Sequence, residues 1–102
     1  MVAVTIEVAD APAKGRYEAR DGDALAGIMT YQVTGNIIAF THTEVFPDHE
    51  GQGVGGAIAR RVMDDARAAG RTVVPVCPFL AGWLERHPEY SAIVVTDHRR
   101  VK

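Results

Sequence analysis

The sequence predicts an α+β fold, with helices covering a mixed, mostly antiparallel sheet. Three observations predict it. Alternating, β-branched segments crowd the first half. The first long helical periodicity begins only near Val54, after a cluster of glycines. A short apolar run and a second, shorter helical segment follow it. The 102 residues suit one domain, taken as residues 1–102.

Each element has its own reason. Residues 2–8 are rich in Val, Thr and Ile and read as a strand, punctuated by Asp10, Ala11, Pro12 and Ala13. Residues 15–20 form a weaker, more polar strand, and Asp21, Gly22 and Asp23 turn the chain. Residues 25–33 alternate, with Leu25, Met29, Tyr31 and Val33 on one face and Ala26, Ile28, Thr30 and Gln32 on the other. Residues 37–46 alternate again, and Thr34, Gly35 and Asn36 make a tight hairpin turn between these two strands. Val54, Ala57, Ile58, Val62, Ala66 and Ala69 then recur at helical spacing, and Gly70 ends the helix. Residues 72–77 are a short strand. Pro78 opens a second helix over residues 79–86, and Pro88 closes it. Residues 92–96 suggest a last short strand.

Composition narrows the function. A hydrophobic share of 47% and a charged share of 24% describe an ordinary globular chain. A net charge of −2 argues against a general nucleic-acid binder, and Arg99, Arg100 and Lys102 form only a short basic tail. No apolar run approaches the ~18 residues of a membrane helix. Met1 to Asp10 lacks the basic and apolar regions of a signal peptide. Cys77 is the single cysteine, which favours a reducing, cytoplasmic setting.

The most informative stretch is Glu50-Gly51-Gln52-Gly53-Val54-Gly55-Gly56. It lies between a strand and an amphipathic helix. Glycine permits positive φ and close backbone approach. A helix N-terminus presents unpaired N–H groups and a positive dipole end. Together they predict a cradle for a pyrophosphate. The Walker pattern needs Lys-Ser/Thr after the loop, where Ala57 and Ile58 stand. Gly51, Gly53 and Gly56 formally match the dinucleotide pattern. However, the preceding strand ends a hairpin, and residues 71–76 carry no acid for a ribose.

These residues resemble the GNAT-type N-acetyltransferase superfamily. Its loop has the form Arg/Gln-x-x-Gly-x-Gly/Ala between the fourth strand and a long helix, and Gly53-Val54-Gly55 fits. Glu50 stands where Arg or Gln is usual, so the backbone must carry the contact. The chain is closer still to a compact branch of about 100 residues. Thr41-His42-Thr43-Glu44-Val45, Val74-Pro75-Val76-Cys77-Pro78-Phe79 and Arg86-His87-Pro88-Glu89-Tyr90 carry that likeness.

The resemblance implies a GNAT-like sheet, acetyl-CoA as co-substrate and acetyl transfer to an amine. Val45, Gly51, Gln52, Gly53, Val54, Gly55 and Gly56 are the implied coenzyme contacts, with Phe79 and Trp83 flanking the pantetheine or adenine. Arg60, Arg61 and Arg86 are candidates for the 3′-phosphate. Larger relatives place two helices between the first strands. Residues 10–14 are too few for them, which leaves the acceptor side open and suits a protein or peptide amine.

An amine must lose a proton to be acetylated, so a base is needed. Strict alternation places Phe40, His42 and Glu44 on one face, with His42 and Glu44 ~7 Å apart. Glu44 sits where many relatives hold a general base, and His42 has the better intrinsic pKa. A backbone N–H near Val45 or Phe46 would polarise the carbonyl. Cys77 precedes a helix N-terminus and is either a nucleophile activated by His42 or a lining of the pantetheine channel. Tyr90 is a weaker candidate for protonating the leaving thiolate. The resemblance implies that the fourth and fifth strands splay to admit the pantetheine, and Pro75, which cannot donate to the ladder, either interrupts pairing there or marks an edge strand. A coenzyme-binding module with little catalysis is the alternative reading. A metal site from His42, His49, Glu50 and Cys77 lacks ligand spacing.

Overall fold

A computed structural model describes residues 5–95. Five strands form one sheet in sequence order: β1 (Ile6–Ala11), β2 (Arg16–Asp21), β3 (Ala24–Thr34), β4 (Ile37–Val45) and β5 (Thr72–Pro75). The first four pair antiparallel, and β5 joins β4 in parallel. Helix α1 (Val54–Ala68) makes the crossover, and α2 (Pro78–Glu85) follows β5.

Some boundaries differ from the sequence reading. β1 runs through Asp10 and Ala11, which were expected to end it, because both pair with β2. The expected residues 2–4 of that strand lie outside the described residues. β5 stops at Pro75, two residues early, since proline cannot extend the ladder. Residues 88–93 form a 3-10 helix, and only Val94 makes a bridge, parallel to Val73. The Val95 N–H donates to the Val73 carbonyl at 2.9 Å, and only Thr96 of the expected last strand lies outside the described residues.

Two register shifts decide which side chains face the core. In β3, Ala19 pairs with Gly27 but Arg20 with Leu25, so Ala26 is an extra residue. In β4, Thr30 pairs with His42 but Tyr31 with Phe40, so Thr41 is extra. Such bulges reset the alternation of faces. Ala26 and Met29 therefore both reach the core, although strict alternation separates them.

Both helices pack on one face. α1 buries Val54, Ile58, Val62 and Met63 against Phe40, Met29 and Ala19, while Leu80 and Trp83 of α2 join the same cluster. Its start is pinned at Gly27. A Cβ there would stand 2.9 Å from both the Glu44 carbonyl oxygen and Val54 Cγ1. Its end is closed by Gly70, at φ 71°, and by the Arg71 N–H donating to the Ala66 carbonyl at 2.9 Å. The β3–β4 hairpin turns at Gly35, at φ 59°, and the Asn36 side chain donates to the Gly70 carbonyl at 2.9 Å. The hairpin thus clips the end of α1 in place.

The other face carries Thr30, His42 and Glu44, together with Glu18. Glu18 is 8% exposed. Its carboxylate accepts from Arg16 and Arg20, each at 3.0 Å, with Lys14 at 3.6 Å. These cations hold its pKa near 2.

Candidate active site

β4 and β5 part company beyond the pair Phe40–Pro75. The Val76 N–H donates back to the Val74 carbonyl at 3.1 Å, and the Cys77 N–H reaches the Phe40 carbonyl at 2.9 Å. The chain then turns into α2, while β4 continues through residues 41–45. The result is a wedge-shaped gap along one edge of β4. The Phe46 N–H is committed to the Ala26 carbonyl at 2.9 Å and is unavailable as an oxyanion donor. Backbone groups alternate in direction along an antiparallel strand, so the N–H groups of Val45 and Thr43 point into the gap.

At the mouth of this gap the chain makes a 3-10 turn over Pro47–His49 and passes through the glycine loop into α1. Gly51 and Gly53 adopt φ of 82° and 77°, and a Cβ on either would meet nothing within 4 Å. Their role is conformational, and the space beside them is open. Gly53 is the N-cap of α1 in the left-handed conformation. The first α1 hydrogen bond runs from the Ala57 N–H to the Gly53 carbonyl at 3.0 Å, and no side chain caps the helix. The N–H groups of Val54, Gly55 and Gly56 are therefore left for an outside acceptor. The Gln52 side chain instead meets His49 Nδ1 at 3.0 Å, with Asp21 3.9 Å from the same nitrogen. That link ties the loop to β2, and the Gln52 N–H is itself donated to the His49 carbonyl at 3.3 Å. Glu50 is exposed and points away from the core.

Gly55 has a different duty. A Cβ there would lie 2.8 Å from Phe79 Cζ, so this glycine admits the Phe79 ring onto α1. Phe79 is still 39% exposed against the start of α1, and Val76, in the link from β5 to α2, is exposed as well. Trp83 does not share this position. It is 6% exposed, His87 stacks on its ring at 3.7 Å, and the Arg60 guanidinium lies over it at 5.2 Å. It is a core residue with little surface left for an adenine.

The bulge at Thr41 corrects the expected face of the catalytic candidates. Phe40 is fully buried, but His42 and Glu44 lie on the opposite, open face, with His42 Nε2 3.7 Å from Glu44 Oε1. Thr43, which strict alternation sends outward, takes the core face opposite Met29. Its Oγ1 is hydrogen-bonded to Cys77 Sγ at 2.9 Å. Cys77 is 3% exposed and lies across the sheet from His42. His42 therefore does not activate it.

The other candidates are engaged elsewhere. The Tyr90 hydroxyl donates to Asp64 at 2.6 Å and is 1% exposed. Burial and that carboxylate push its pKa up, away from a role as proton donor. Arg60 is held by Glu89 and Tyr90, and Arg61 by Asp65 and the Val8 carbonyl. Among the described residues the Arg86 side chain hydrogen-bonds only its own helix, at the Gly82 carbonyl, 3.2 Å away. It is the candidate least occupied by protein partners. Among the described residues no group of three His, Cys, Asp or Glu lies close enough to hold a metal ion. No described helix is long and apolar enough to cross a membrane.

Sequence reasoning missed Thr43, Gly27 and the His49–Gln52 link. A bulge leaves no local signature in a Thr-rich strand, so the Thr43 error was built into the period-two argument. Gly27 interrupts an otherwise regular strand, and that interruption was a usable signal of close approach.

Comparison with known proteins agrees with this arrangement. No curated protein matches the sequence. A solved structure of a GCN5-like protein from Staphylococcus aureus, determined by NMR, has a similar fold. Its TM-score is 0.67, its identity 24%, and the similarity covers 98% of this chain and 97% of that one. The family described as GCN5-related N-acetyl-transferase matches residues 16–93. With its splayed fourth and fifth strands and its glycine loop capping α1, the chain belongs to the GCN5-related N-acetyl-transferase family.

Proposed function

We propose that the protein transfers the acetyl group of acetyl-CoA directly to an amine, with a protein or peptide amine as the favoured acceptor. One observation carries the reading. The N-terminus of α1, capped by no side chain and shaped by Gly51 and Gly53, opens beside the gap between β4 and β5. Acetyl-CoA supplies the thioester. The N–H groups of Gly53, Val54, Gly55 and Gly56 would hold its diphosphate, where the helix dipole favours negative charge. Phe79 and Val76 would shield the pantetheine. The Val45 N–H, pointing into the gap, would hydrogen-bond the carbonyl oxygen as negative charge develops there.

The acceptor would approach from the open face. Glu44 takes its proton, and His42 at 3.7 Å positions the carboxylate. The neutral amine nitrogen then bonds to the acyl carbon, the carbon–sulfur bond breaks, and the proton that the nitrogen sheds as it becomes an amide passes through water to the leaving thiolate. Both helices pack on the other face, so this side is wide enough for a polypeptide. A reducing, cytoplasmic setting fits the lone Cys77.

The test is coenzyme release with a peptide amine library, comparing wild type with Glu44→Gln. The reading expects a fall in kcat of about 100-fold or more with coenzyme affinity unchanged. Full activity in the variant would remove Glu44 from the mechanism.

A further inference from the structure

We propose that a second cavity, at the far end of the sheet from the gap, binds a small zwitterion of the free α-amino acid class. The cavity holds about 200 Å³ and lies between the second half of α1 and the start of β4. Ile38, Val62 and Ala66 lie beneath it, nearly sealed from solvent, and the accessible lining is mainly polar. Ala66 and Ala69 are small and leave the space that longer side chains would fill.

Its wall carries both signs of charge. Asp10 comes from β1 and Asp65 from α1, while Arg71 comes from the turn before β5. The two carboxylates are held in place by buried or half-buried tyrosines. The Tyr17 hydroxyl donates to Asp65 at 2.8 Å, and the Tyr31 hydroxyl donates to Asp10 at 2.7 Å. Arg61 also donates to Asp65, at 3.0 Å and 3.1 Å. A carboxylate offers about four lone-pair sites, so Asp10, with one such partner, keeps capacity for an ammonium group. Arg71 lines the same cavity. It makes no ion pair within 4.0 Å among the described residues, which leaves its planar fork for a carboxylate. An anchored acid and a guanidinium on one small cavity match the ammonium and the carboxylate of an α-amino acid. The volume suits a ligand of leucine size. Eleven residues of α1 separate Asp65 from Val54, about 16 Å at 1.5 Å per residue, so this site is separate from the coenzyme gap.

The test is titration calorimetry on the full chain with leucine. 4-Methylpentanoate, which lacks the ammonium, 3-methylbutylamine, which lacks the carboxylate, and inorganic phosphate are the comparisons. Leucine is expected to bind with Kd on the order of 1 mM or tighter, and each other probe at least tenfold more weakly. Arg71→Gln and Asp10→Asn should each weaken leucine at least tenfold while keeping the wild-type melting temperature without ligand. No heat with leucine at about ten times that concentration would overturn the proposal. So would equal binding of phosphate or of either truncated ligand. The ligand series uses the wild-type chain, so a misfolded variant does not blunt the test.

Discussion

At the scale of single residues, the glycines of the loop divide by duty. Gly51 and Gly53 hold positive φ in open space, so replacing Gly53 with Ala adds backbone strain of roughly 1–2 kcal/mol without a clash. We expect a modest fall in melting temperature and a coenzyme affinity at least tenfold weaker, both measurable by thermal shift and calorimetry. Glu18 provides a second test. Its folded pKa is near 2, below the ordinary 4.5, because Arg16 and Arg20 favour the charged form. A depressed acid contributes stability above its unfolded pKa and loses it as pH falls through the folded value. The wild type should therefore lose stability between about pH 4.5 and 2 more steeply than Glu18→Gln, as read by pH-dependent thermal unfolding. Cys77 is buried against Thr43, away from His42, so Cys77→Ala should keep coenzyme release within a few-fold of wild type. Loss of activity with an intact fold would restore the covalent route.

At the scale of elements, two glycines that look alike in sequence should respond differently. A Cβ at Gly27 meets backbone oxygen and Val54, neither of which can swing away. Gly27→Ala should cost about 1–3 kcal/mol and displace the start of α1. A Cβ at Gly55 meets only the Phe79 ring, which is partly exposed and can rotate. Gly55→Ala should cost less, and denaturant unfolding of the two variants compares them directly. The strands and helices themselves were legible, because burial of one face imposes period two or 3.6 on the side chains. The bulges at Ala26 and Thr41 were not legible, because they arise from pairing with a neighbouring strand. One extra residue at Thr41 moved Phe40 into the core, turned His42 and Glu44 to the open face and brought Thr43 to Cys77. The glycine loop was readable for the opposite reason. Its chemistry is local to consecutive residues and to the helix they begin.

For the whole molecule, the unequal covering of the two sheet faces matters most. Both helices lie on one side, β4 and β5 part at one edge, and Glu44 and His42 stand on the other side. An open acceptor side was expected from the short link between the first two strands, and β1 and β2 are joined by a 3-10 turn at Pro12–Lys14. The roles of Trp83, Tyr90, Arg60 and Arg61 were not legible. Each is decided by a partner distant in sequence, such as Asp64 for Tyr90 and Glu89 for Arg60. The central claim is that backbone amides at the start of α1 grip a diphosphate. Calorimetric titration with acetyl-CoA and with S-acetylpantetheine, which has the same acyl arm and no diphosphate, tests it most directly. The account predicts one-to-one binding of acetyl-CoA and a large loss of affinity for the truncated thioester. Equal affinity for the two, or no heat with acetyl-CoA, would contradict it.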